Sequence, residues 1–303
     1  MGEGSNKFID SIESLFRAVL SIMLYLVPAI PVLYLFDKLN TSKTVYQGVY
    51  SAIVSLLTIC LFIGVNQILK KSNDSFIVRD RLDIVQVMCI IVIALGLVGM
   101  VYCYLTFADV ISDFLESLKD KIEEYNESVD RLSEVEQYHV PLWDSILYIF
   151  DLTILIPFSE ELVFRGAVLG SLKRGFRPWL AIVLSAVIFG LMHGISMHIG
   201  YAVICGLVMG AVYHMTNSIF ASFLIHSIFN FLGSCIPFFF DLQLFGVTDG
   251  LRYVTVRAMW YGCIGMMLPA IFAYILLLTR YRMKTGKNKA LIETKAEEKN
   301  EQA

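Results

Sequence analysis

The chain of 303 residues contains no CxxC pair, no HExxH spacing and no cluster of Lys and Arg large enough to form a basic face. Each absence removes a class of protein. Without paired cysteines there is no disulfide framework and no zinc knuckle, and Cys60, Cys89, Cys103, Cys205, Cys235 and Cys263 read as small, buried, reduced packing residues. A net charge of -3 excludes a nucleic-acid partner, which needs a concentrated positive surface. Charge of either sign is itself scarce, with 17% of residues charged against 57% apolar. The first apolar run lacks a small-residue cleavage site and contains Pro28 and Pro31, so it reads as a retained, kinked helix rather than a secretory signal.

What the chain does have is apolar stretches of about twenty residues, the length that crosses a bilayer as a helix. They predict an all-α, polytopic transmembrane bundle of about eight spans, near 18–36, 45–67, 84–107, 144–169, 178–198, 200–216, 218–240 and 256–279. Lys and Arg gather in alternate connections: Lys70, Lys71, Arg79 and Arg81, then Lys173, Arg174 and Arg177, then Arg280, Arg282 and Lys284 onward. This bias predicts a multi-pass protein of the cell membrane with both termini in the cytoplasm, as an even number of spans requires. Trp143, Trp179 and Trp260 fall near span ends, where amphipathic rings favour the headgroup layer.

Four regions follow: a three-span region at 1–108, an acidic extramembrane helix at 109–142, a core at 143–280 and a disordered cytoplasmic tail at 281–303. In the acidic segment Ile111, Leu115, Leu118, Ile122, Tyr125, Val129 and Leu132 recur at alternating four- and three-residue steps, the spacing of a helix that buries one stripe. Its excess of carboxylates over residues 109–136 disfavours an anionic lipid surface and favours packing on its own chain or on a helix partner.

The chemistry concentrates in the core. Within Pro157-Phe158-Ser159-Glu160-Glu161-Leu162-Val163-Phe164-Arg165, the Glu161 carboxylate lies one turn before the Arg165 guanidinium, the favourable order for an ion pair. Glu160 points about 100° away and is left to find a partner elsewhere in the bundle. Pro157 removes a backbone donor and opens the helix one turn upstream. Charged groups at bilayer depth cost about 2.5–3.5 kcal/mol each, so they persist only when paired, hydrated or functional.

Two further segments supply polar partners. Phe189-Gly190-Leu191-Met192-His193-Gly194 places His193 between glycines four apart, and His226-Ser227-Ile228-Phe229-Asn230 stacks His226 and Asn230 on one helix face. His198 and His214 read as interfacial side chains, with His198 also a candidate to border the entry path. The pairs Gly166 with Gly170 and Gly206 with Gly210 read as close helix crossings.

The ordered set EExxxR (Glu160, Glu161, Arg165), FxxxH (Phe189, His193) and HxxxN (His226, Asn230) resembles the motifs of the CAAX protease and bacteriocin-processing family of intramembrane proteases, over roughly residues 140–240. The resemblance implies peptide-bond hydrolysis, with Glu160 as the general base helped by His193, and with His226 and Asn230 polarising the scissile carbonyl. Glu161, Arg165 and Phe189 would support the site. Glu160, His193 and His226 also match the three protein ligands of a catalytic zinc, although asparagine suits an oxyanion donor better than a metal. The partners implied are a membrane peptide or protein substrate, prenylated or not, and the lipid bilayer. Two other classes use similar residues: a peptide-sequestering immunity protein without turnover, and a proton-coupled transporter, which would show inverted repeats.

Overall fold

The computed structural model describes residues 2–72, 75–112, 114, 119–124, 140–194, 196–237 and 248–301. In chain order the helices are α1 (Gly2–Leu26), α2 (Ala29–Lys38), α3 (Gln47–Lys70), α4 (Ile84–Ser112), α5 (142–175), α6 (Pro178–Leu191), α7 (Ser196–Thr216), α8 (Ile219–Asn230), α9 (Asp249–Gly265) and α10 (Met267–Glu301). The multi-pass helical class expected from composition holds. Among the described residues, four helices are long and apolar enough to cross a membrane, or five if α9 and α10, bent by 43°, count as one span.

The remaining three of the eight expected spans are the fourth, fifth and seventh, which carry the polar motifs. α5 is broken into short pieces by two π-helical turns, Asp151–Leu155 and Leu162–Val168. α6 has 14 residues, about 21 Å at helical rise against a hydrocarbon layer of about 30 Å. α8 has 12 residues before it loosens into a third π turn, Phe231–Cys235. Polar work inside the bundle is carried by helices that stop or distort at depth.

Other boundaries also move. The first span breaks at Val27 and Pro28, as its prolines predict, and the eighth divides at Met266. The tail is helical as far as Glu301 rather than disordered, because the last span nucleates a helix that Lys, Ala and Glu readily extend. Most of the acidic stripe, including Leu115, Leu118, Tyr125, Val129 and Leu132, lies outside the described residues. Residues 119–124 are helical, and Ile122 is buried against Ala108 and Met197 of its own chain.

α4 is apolar on every face and accordingly forms the interior post, packed against α7, α8, α9 and α10. α5 lies between α1 and α3 on one side and α8 on the other. Leu162, Phe164, Leu169 and Leu172 of α5 join Ile90, Leu97, Met209 and Ile225 in one core. α6 and α7 cross closely through Gly190, where a Cβ would strike Val203, and through Gly206, where it would stand 3.0 Å from Ala186.

Short polar contacts set the remaining registers. The buried Asp144 carboxylate accepts from the Gly48 and Val49 amides, both at 2.9 Å, and so satisfies the otherwise orphaned N-terminus of α3. Asn66 Oδ1 accepts from Ser75 Oγ and from the Phe76 and Ile77 amides at 2.9–3.1 Å, which turns the chain after α3 and drives the Phe76 ring onto Gly166. Before α4, Asp83 and Gln86 cap each other, and Arg280 binds Asp83 with both terminal nitrogens.

The Gln86 amide, helped by Arg280, holds the Asp83 carboxyl below its ordinary range. This link is therefore present at neutral pH and is lost as pH falls through that lowered value.

All six cysteines are free; four are buried, Cys103 is half-buried and Cys60 is exposed. Asp144→Ala, which strands two buried amides, is expected to destabilise the purified protein by about 2 kcal/mol or more, measured as a lowered thermal midpoint in detergent.

Candidate active site

Pro157 is where the site begins. Its missing N–H leaves the α-helical partner, the Thr153 carbonyl, and the π-helical partner, the Leu152 carbonyl, without their usual donor. Lipid offers no replacement. The structure supplies it from α8: Ser227 Oγ donates to the Thr153 carbonyl at 2.6 Å and Asn230 Nδ2 to the Leu152 carbonyl at 3.0 Å. Two side chains of the HxxxN helix thus clamp it to the helix of the two glutamates.

That clamp places His226 between the carboxylates. His226 Nδ1 donates to Glu161 Oε1 at 3.0 Å, and Nε2 lies 3.7 Å from Glu160 Oε2. Glu161 also pairs with Arg165, as its position in the motif predicts, at 3.2 Å with both groups fully buried. The Arg165 guanidinium stacks 4.6 Å from the centre of the Phe189 ring. Phe189 is the hub: its ring also meets His193 at 4.6 Å, Phe164 at 5.0 Å and His226 at 5.9 Å, all edge-on.

His193 stands just past the end of α6, and the chain turns away at Gly194 with φ of +73°. The expected glycine pair therefore divides. Gly190 is a close helix crossing, whereas Gly194 meets nothing and serves as the left-handed residue that ends the turn. His193 Nδ1 lies 2.8 Å from the Phe189 carbonyl, which can only accept, so Nδ1 carries the proton and Nε2 presents its lone pair.

Glu160, Phe189, His193, His226 and Asn230 all line one cavity of about 600 Å³. His198 lines it too, from the first turn of α7 rather than from an interfacial loop, with its ring 5.3 Å from that of Tyr201. His214 lies apart, bonded to Tyr281 at 3.2 Å. Trp260, expected in the headgroup layer, instead stacks on Tyr102 and forms part of the cavity wall.

One participant carried no motif. Tyr25 of α1 donates its hydroxyl to Glu160 Oε1 at 3.4 Å and packs edge-on against Phe164 at 5.7 Å. It stands 135 residues from its partner, so no local spacing announces it.

Among the described residues, no three His, Cys, Asp or Glu side chains are gathered so as to hold a metal ion. His226 Nδ1 donates to Glu161 and His193 Nδ1 to a carbonyl, the outer bonds that metal-binding imidazoles commonly make, so Nε2 of each ring together with Glu160 would be the groups to hold a zinc, which would supply a Lewis acid there.

Residues 142–232 match the family model described as Type II CAAX prenyl endopeptidase Rce1-like. Over that segment the chain is similar to this family, which agrees with the resemblance carried by the three motifs. No curated protein and no solved structure matches the chain. The Rce1-like segment contains α5, α6, α7 and α8, hence every motif residue, while Tyr25 and the Tyr102–Trp260 wall come from outside it. The match ties the segment to CAAX-type proteases.

Arg165→Ala leaves a buried carboxylate short of its cation and is expected to cost about 3–5 kcal/mol, seen as loss of folded protein in fluorescence-detected size exclusion. Arg165→Lys is expected to recover little, since an ammonium lacks the flat face that stacks on Phe189.

Proposed function

We propose that the protein is an intramembrane endopeptidase that hydrolyses a peptide bond of a membrane-associated substrate. What carries this is the convergence of Glu160, His193, His226 and Asn230 on one cavity. Glu160 acts as the general base. Water held between it and the histidines loses a proton to its carboxylate, attacks the carbonyl carbon, and the proton passes on to the departing amine. The 3.7 Å gap between Glu160 and His226 is too long for a direct hydrogen bond and suits a shared water.

His193, with its lone pair forward on Nε2, orients that water. The second N–H of Asn230, left over after its bond to Leu152, is available to the developing oxyanion, and His226 joins it through Nε2 when its ring carries both protons. Glu161 and Arg165 act indirectly: one fixes the His226 tautomer, and the other holds Glu161 and seats Phe189. Tyr25 steadies Glu160 from α1.

The tautomer assignments favour hydrolysis over sequestration, because simple peptide capture needs neither a buried base nor a lone pair aimed beside it. The substrate is a peptide or protein held at the membrane, and the orientation follows the positive-inside bias, with both termini cytoplasmic.

Glu160→Gln, His193→Ala and His226→Ala, at normal expression in membranes, are each expected to abolish cleavage of a reporter peptide. Asn230→Ala is expected to lower kcat by about 10²–10³ with little change in KM. Full turnover by Glu160→Gln would overturn the proposal. Tyr25→Phe keeps the ring packing and removes one donor to the carboxylate, so kcat is expected to fall by about tenfold with KM and folded yield little changed, which a packing defect would not do. Elemental analysis of active protein, with activity after chelation, tests the zinc expectation separately.

A further inference from the structure

The cavity continues past its polar cluster. Tyr102, Pro237 and Trp260, which line it, also line a neighbouring hollow of about 560 Å³ whose other walls are Arg252, Tyr253, Val256 and Arg257 of α9. Tyr102 and Trp260 stack with centroids 5.1 Å apart and planes 11° from parallel, so one flat aromatic partition serves both spaces. Except for the two guanidinium groups, the second hollow is walled by aromatic and apolar side chains.

Arg257 is the informative residue. The arginines Arg17, Arg165 and Arg280 each meet a carboxylate, on Glu13, Glu161 and Asp83 respectively. Among the described residues Arg257 meets only tyrosines: its guanidinium lies 4.6 Å from the Tyr253 ring centre, with Tyr261 and Tyr102 as its other polar neighbours. Stacking of this kind holds a guanidinium flat while its outer edge stays free to grip an anion with two parallel hydrogen bonds. Arg252 lines the same hollow from one and a half turns earlier on the helix.

We infer that this hollow is a charge-selective subsite that receives an acidic side chain of the substrate, in the segment next to the bond that is cut. The inference rests on the endopeptidase reading and adds to it a substrate class. The reach fits, because a peptide advances about 3.3–3.6 Å per residue and spaces sharing three wall residues are bridged by a short extended segment. A lipid phosphate presents similar anionic chemistry, but its capture would be indifferent to peptide sequence.

The test uses the full chain in phosphatidylcholine proteoliposomes and membrane-anchored reporter peptides carrying Asp, Asn or Lys at successive positions on each side of the scissile bond. At one position, wild-type kcat/KM is expected to favour Asp over Lys by roughly tenfold or more. Arg257→Glu is expected to invert that preference, Arg252→Gln and Arg257→Gln to flatten it, and the Asn peptide to change by less than about threefold.

Absence of any charge preference in the wild type overturns the inference. So does an equal loss on all three peptides in the variants, which would assign the arginines to lipid or to folding, or a preference that follows added anionic lipid instead of peptide sequence. If the wild type cleaves none of the reporters, the endopeptidase reading fails by itself. Anisotropy of the same labelled peptides on Glu160→Gln protein then decides the subsite: binding selective for Asp and lost in Arg257→Glu supports it, and binding without charge preference overturns it.

Discussion

A proline inside a helix that has no water around it forces the arrangement of the rest of the site. Pro157 leaves backbone carbonyls that only another part of the protein can satisfy, and α8 does so through Ser227 and Asn230. With α8 fixed at that height, His226 meets Glu160 and Glu161 together. The π turns on both sides of the glutamate pair belong to the same adjustment, since each re-aims the side chains that follow it without ending the helix. The asparagine of the HxxxN motif is therefore a fastening, with one amide hydrogen given to the Leu152 carbonyl.

The adjacent glutamates differ in environment and hence in use. Glu161 is fully buried, bonded to His226 and paired with Arg165, whose flat cation rests on Phe189. Such a carboxylate is spent on structure, because removing its charge would strand the others. Glu160 has looser neighbours, a 3.4 Å tyrosine hydroxyl and a histidine at 3.7 Å, and faces the cavity. That looseness is what the proposed role as general base relies on.

Much of this was legible beforehand. Apolar run lengths predicted the helical multi-pass class, the i,i+4 order of Glu161 and Arg165 predicted their ion pair, and the glycines at 206 and 210 predicted the α6–α7 crossing, where a Cβ added at Gly210 would stand 3.2 Å from Ile182. Hydropathy failed where polar demands interrupt a span. The helices carrying EExxxR, FxxxH and HxxxN are broken or short, Gly194 ends a turn instead of pairing with Gly190, and the tail gains its helix from the span before it. Periodicity counts residues on an ideal helix and registers neither a π turn nor a premature stop.

By itself the sequence determined which residues had to be explained: the charges and imidazoles whose cost in lipid demands partners, and the proline whose carbonyls demand donors. Those are one-body costs, readable from composition and local spacing. Which partner meets which demand is a matter of distance between segments far apart in the chain, and only the tertiary structure decided it. Tyr25 on Glu160, Ser227 on the Thr153 carbonyl, His226 on Glu161 and Trp260 against Tyr102 are all of this kind. Hydrogen bonds and ring contacts reach only a few ångströms, so they exist where packing brings two surfaces together and leave no trace in the spacing of either.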